Sequence, residues 1–177
     1  MYRIGHFGVN AAVAAIFTVL TAPVASMPLR MTAVVVILAF ASLPDIDTRF
    51  AGMTNHAAVW QRVPVQHRGV THTVWFALCV GTVTAGAFTF VPWRSQTNLF
   101  IVLFIGFTAG FLSVIGHLAG DVITPAGITP LTPLDDTKIT LRWCTASNRI
   151  ANIVFLVGGT ILLGVTLSIS VITAAVT

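Results

Sequence analysis

Glutamate is absent, and aspartate is the only acidic residue, occurring five times in 177 positions. Charged residues of both signs make up 8% of the chain, where an ordinary soluble domain carries about 25%. Such a chain cannot keep a large surface in water, and its 56% hydrophobic content points instead to an integral membrane protein with no room for a large second domain. Cysteine is nearly absent too. Cys79 lies inside an apolar run and Cys144 in a polar loop, which excludes a disulfide framework and leaves two free thiols as the expectation. Basic residues are few and scattered. Despite a pI near 10.1, they form no patch, so a nucleic-acid partner is not expected. No repeat or low-complexity tail is present. The N-terminus imitates a secretion signal, with Arg3, an apolar run and then "APVAS". The run is long for such a signal and Pro23 sits badly at the cleavage point, so the segment is expected to remain as a helix.

What the chain has in abundance is long apolar runs. Crossing the hydrocarbon core takes about 20 apolar residues. Five stretches qualify: residues 6–25, 31–43 (extendable to Asp47), 70–91, about 98–123 and 151–176. Pro28, Pro44, Pro92 and Pro125 lie near their ends, where proline disrupts least. The expected fold is all-α: one polytopic membrane helix bundle over residues 1–177 with about five transmembrane helices.

If the spans alternate in direction, the few polar residues fall into order. The first span leaves the face that holds His6. The second returns with Asp45 and Asp47 of "LPDID". The third leaves after His67 and His72 of "HRGVTH", and the fourth returns with His117 and Asp121. Four histidines and three aspartates, drawn from residues 6 to 121, therefore meet at one membrane face. The same face collects Arg3, Arg49, Arg62, Arg68, Lys138, Arg142 and Arg149, whereas the other holds only Arg30 and Arg94. By the positive-inside rule this places the polar face, and with it the N-terminus, in the cytoplasm.

The chemistry of each motif has a bland and a sharp reading. His117 and Asp121 stand at i and i+4, so they share one helix face. They can be a simple hydrogen-bonded pair or part of a site. Thr124 continues that face, and Gly106, Gly110 and Ser113 continue it in the other direction as small residues suited to close helix packing. In "LPDID" the proline ends the helix, and an unwound segment can turn both carboxylates to one point. Their mutual repulsion would be relieved by a divalent cation, although a turn capping a span has the same composition. In "HRGVTH", Gly69 permits a bend, Thr71 can cap the next helix or orient an imidazole, and Arg68 can fork onto a phosphate or carboxylate. His56, Asp135 and Asp136 fit no motif and are assigned to solvated loops. Imidazole with carboxylate and no thiolate suits Zn first, or Mn or Fe, rather than an all-oxygen calcium site. His6, Asp45, Asp47, His67, His72, His117 and Asp121 are the candidate ligands. They exceed one tetrahedral ion, so one or two ions are accommodated, or some of the seven orient ligands or act as base.

The blocks "GHFGVNA", "LPDID", "HRGVTHT" and "GHLAGDVITPAGITPLTP" occur in the order and spacing of the YdjM-like family, which the chain resembles over about residues 4–134. The last block, HxxxD followed by TPAG and a further proline, is the most specific. The loop 135–149 and the helix at about 150–176 lie beyond the resemblance. It implies a membrane-bound, metal-dependent hydrolase of the inner membrane, with a broader likeness to zinc-dependent phospholipase C enzymes. The family's motif positions fall on the same seven histidines and aspartates. The expected activity is hydrolysis of a phosphoester or other ester in a lipid-like substrate. Asp45, Asp47, Arg68 and Asp121 are the catalytic candidates: an aspartate not bound to metal acts as base, and Arg68 holds an anionic group. Membrane lipids are the expected surroundings, and oligomeric state is left open. A divalent-metal carrier, or a structural protein whose polar residues only cap helices, are the rival readings. A carrier would place its ionisable groups nearer the bilayer midplane.

Overall fold

A computed structural model of the chain describes residues 1–46, 69–93 and 98–176. The described elements are α1 (Arg3–Thr21), α2 (Met27–Ala39), a 3-10 turn (Val70–His72), α3 (Val74–Phe88), α4 (Leu99–Val122) and α5 (Arg149–Val176). No strand is found among the described residues. Among the described residues three helices are long and apolar enough to cross a membrane: α1, α4 and α5. The 13 residues of α2 and the 15 of α3 are shorter. At 1.5 Å per residue they rise only about 20 Å, against a hydrocarbon core of about 30 Å.

The short helices have local causes. In α2, Pro28 occupies the first turn, where its missing N–H costs nothing, so the helix starts earlier than the apolar run alone suggests. Its end is set by Pro44, which disfavours helical geometry at Leu43. The chain turns instead, with Leu43 N–H donating to Phe40 O at 2.9 Å. α3 starts late because Thr73 is its N-cap: its hydroxyl accepts from Phe76 N–H at 3.2 Å and donates to Val70 O at 2.7 Å. The cap is therefore Thr73 and not Thr71.

The core lies where α1, α2 and α4 meet, built on Ala11, Ala14, Phe17, Leu29, Ala33, Ile37, Ile105 and Ala109. A second cluster of Ala77, Val80, Val114, Leu118 and Ile128 joins α3 to α4. The small residues of α4 earn their place here. A Cβ on Gly106 would lie 2.8 Å from the Phe88 ring, and one on Gly110 would strike the Thr84 hydroxyl. At these glycines the stripe is packing, as its small residues suggest. α5 lies against α1 backbone to backbone, because a Cβ on Gly159 would land on the Gly8 carbonyl and one on Gly8 on the Phe155 carbonyl. Much of the remaining surface is bare hydrocarbon: Leu20, Val83, Phe90, Phe100 and Ile172 are each more than 60% exposed. Water would penalise such a surface, and lipid would not.

Candidate metal centre

One end of the bundle holds a polar cluster in an otherwise apolar molecule. His6 (1% exposed) comes from the first turns of α1. Asp45 comes from the turn after α2, His72 from the 3-10 turn, and His117 and Asp121 from the last turns of α4. All but Asp45 are buried to within 1% of completely, and the Asp45 side chain retains 19% exposure. The structure thus brings together five of the seven ligand candidates. Asp47, His67 and Arg68 lie outside the described residues.

The separations within the cluster carry the chemistry. His72 Nε2 lies 3.4 Å from Asp121 Oδ2 and 3.8 Å from Asp45 Oδ1. His117 Nε2 lies 3.5 Å from Asp121 Oδ2 and 3.6 Å from Asp45 Oδ1. A good N–H···O hydrogen bond is about 2.9–3.0 Å, so these contacts are too long for tight pairing. A tetrahedral ion with bonds of about 2.0–2.1 Å holds its ligand atoms about 3.3–3.4 Å apart. Four of the six edges of a His72–His117–Asp45–Asp121 tetrahedron are thus near the length an ion would set. His6 approaches from the other side, its Nε2 being 3.6 Å from Asp121 Oδ1. His6 and His117 also stack, with ring centroids 3.8 Å apart and planes 9° from parallel. The Met1 nitrogen adds a contact of 3.1 Å to the same Asp121 Oδ1.

The tautomer of His117 follows from its partner. Its Nδ1 lies 2.9 Å from the carbonyl oxygen of Ala41. A carbonyl only accepts, so Nδ1 carries a proton, and in the neutral ring Nε2 then presents a lone pair. That lone pair faces two carboxylate oxygens and has no hydrogen-bond partner. Three electron-rich atoms converging in a buried space repel one another unless a cation sits among them. The carbonyl is available because α2 has ended: in a continued helix Ala41 O would accept from the N–H of residue 45. The proline turn therefore both places Asp45 and frees the group that orients His117, the outer contact metal-binding imidazoles commonly make. Thr71 acts similarly on His72, its hydroxyl lying 3.0 Å from Nδ1.

Segments without a recognised motif hold the cluster in place. The last carbonyls of α4 would be orphaned at its C-terminus. The strand-like strap after Lys138 satisfies them: Leu141 N–H donates to Val122 O at 2.7 Å, Trp143 N–H to Ile123 O at 3.0 Å, and the Thr140 hydroxyl to Thr124 O at 2.7 Å. The loop 135–149 thereby fixes the helix end that carries Asp121. Asn152 of α5 does the same for α1: its side-chain oxygen accepts from Tyr2 N–H at 3.0 Å, four residues before His6. Close helix approach completes the frame, since a Cβ on Gly120 would stand 2.8 Å from His6 Nδ1 and one on Gly116 2.7 Å from Asn10 Oδ1. Asn10, fully buried one turn after His6, was not among the candidates; its amide donates to His6 O at 3.1 Å. An uncharged but polar residue inside an apolar span was the available signal. Arg3 was counted only towards topology, but it lines a cavity of about 190 Å³ together with Ala39, Ser42, Leu43, Asp45 and Ile46.

The family described as YdjM inner membrane protein matches residues 1–177, so the match takes in the strap and α5 as well as the motif blocks. The chain belongs to that family and is a multi-pass protein of the inner membrane. No curated protein and no solved structure matches it.

Proposed function

We propose that this YdjM-family chain is a metal-dependent hydrolase whose site lies at the cytoplasmic face of the inner membrane. The observation that carries the reading is the His117 lone pair, turned by the Ala41 carbonyl onto two carboxylate oxygens at 3.5 and 3.6 Å. His72, His117, Asp121 and Asp45 are the ligands, with His6 on the second oxygen of Asp121. The donor set is nitrogen and oxygen only, which favours Zn, with Mn or Fe as alternatives. Such an ion, when bound, lowers the pKa of a water so that hydroxide is available near neutral pH.

The chain's own residues divide the remaining work. His72, His117 and Asp121 are buried and hold the ion from the protein side. Asp45 is the member that reaches the cavity, so substrate arrives on its side. If an exogenous group displaces it, its carboxylate can accept the proton of the attacking water, a role the sequence also offers to Asp47. Arg68 is the sequence's candidate for holding an anionic group. The cytoplasmic orientation is supported by the bias of basic residues, and a five-span count would require the segments flanking α2 and α3 to complete their crossings.

The reading is tested on detergent-purified protein by elemental analysis alongside turnover of generic phosphodiester and phospholipid substrates. His117→Ala and Asp45→Ala should each lose both metal and turnover. Full metal content in both variants would refute the ligand assignment, and metal binding with no turnover of any ester would refute the hydrolase.

A further inference from the structure

The cavity beside Asp45 has an apolar neighbour. A second space of about 270 Å³ shares Arg3 and Ser42 with it and is otherwise walled by Ile4 and Phe7 of α1, Leu38 and Ala41 around the end of α2, and Leu156 of α5. Arg3 stands at the junction, exposed, and no carboxylate among the described residues forms an ion pair with it. The polar chamber thus leads to the metal cluster and the apolar one opens between three helices, with a guanidinium between them.

Charge decides what fits. With a divalent cation bound, Asp45 and Asp121 neutralise it and the histidines remain uncharged. Arg3 then leaves the mouth with a net positive charge. A guanidinium forks onto phosphate with paired hydrogen bonds, while Ile4, Phe7, Leu38 and Leu156 offer no polar partner and suit a hydrocarbon chain. Building on the hydrolase reading, we propose that Arg3 and this groove select the substrate: a phosphate-bearing amphiphile whose headgroup pairs with Arg3 beside Asp45, and whose chain lies between α1, α2 and α5. Arg3, rather than Arg68 alone, is then a specificity-determining residue.

The test uses the full chain, zinc-loaded, in micelles of the phosphate-free detergent dodecyl maltoside, with binding read by titration calorimetry and zinc content checked for every variant. The probes are dihexanoyl phosphatidic acid and its chainless counterpart, glycerol 3-phosphate. The amphiphile should bind at least roughly tenfold tighter, since two buried methylenes already supply that factor. Arg3→Gln should weaken the amphiphile about ten- to hundredfold, the usual worth of a charge-assisted hydrogen bond, and Arg3→Lys should recover part of the loss. Leu156→Trp, which fills the groove from α5, should erase the preference for the chain and leave glycerol 3-phosphate unchanged; partitioning of the probe into the micelle itself would survive this substitution. Equal binding of both probes, a preference that persists in Leu156→Trp, or wild-type affinity in zinc-replete Arg3→Gln would overturn the proposal. The two readings fail separately. Hydrolysis of soluble phosphoesters without chain preference would spare the hydrolase and sink the groove, whereas chain-dependent binding without hydrolysis would do the reverse.

Discussion

Replacing Gly120 by alanine changes no candidate ligand, yet it should damage the metal centre. The new Cβ would stand 2.8 Å from His6 Nδ1 and 3.2 Å from His6 Cε1. Ordinary carbon contacts begin at about 3.4 Å, so the imidazole must retreat by roughly 0.6 Å. It has little room, because its ring is 1% exposed and already stacks on His117 at 3.8 Å. Metal sites hold their ligand distances to about 0.2 Å, and functional constellations tolerate displacements of about 0.5 Å. The shift exceeds both, and affinity should fall about 10–100-fold, as it does when the groups that orient ligands are lost. The fold should survive, since alanine in a helix interior is favoured over glycine by about 1 kcal/mol. Competition for zinc against a chromophoric chelator reads the affinity directly. Gly164→Ala is the control, because a Cβ there meets nothing within 4 Å. Wild-type zinc affinity in Gly120→Ala would show that His6 is not held at the site in the way described.

Other perturbations probe separate parts of the structure. Gly159→Ala should destabilise the α1–α5 contact by about 1–3 kcal/mol through overpacking, while Gly158→Ala, whose Cβ meets nothing within 4 Å, should be neutral; unfolding in mixed detergent micelles distinguishes them, and equal stability would contradict the backbone contact. Chelation should lower the thermal unfolding midpoint, because metal at 100 times its dissociation constant adds about 2.7 kcal/mol of stability; an unchanged midpoint with and without chelator would argue that no ion links these elements. Cys144, in the strap after α4, should react with a membrane-impermeant maleimide in inverted vesicles and not in intact spheroplasts, with Cys79→Ser as background; the opposite pattern would reverse the orientation.

Much of the fold was legible because the bilayer imposes one rule, that apolar runs become helices. The limits of α4 and α5 fall within two residues of the apolar runs at about 98–123 and 151–176. The errors lie where local chemistry overrides hydropathy. Pro28 reads as a break but serves as a first-turn residue, so α2 begins at Met27 rather than residue 31. Thr73 rather than Thr71 caps α3, which moves its start from residue 70 to 74. The meeting of His6, Asp45, His72, His117 and Asp121 followed from alternating helix directions, because each stands at the same end of its span. What sequence could not show was any contact made by backbone: the Ala41 carbonyl on His117, the strap amides on Val122 and Ile123, and Asn152 on Tyr2. A carbonyl's availability depends on where a helix stops, and that is not written in side-chain types. Arg3 was visible as a charge but not as a wall of the cavity beside Asp45, since that needs the positions of three helices at once.

X-ray absorption at the metal edge of detergent-purified, dialysed protein bears most directly on the buried cation. The account predicts a stoichiometric divalent metal with a first shell of nitrogen and oxygen alone at about 2.0–2.1 Å, and the outer-shell pattern of imidazole. Protein without stoichiometric metal, or sulfur at about 2.3 Å in the first shell, would contradict it.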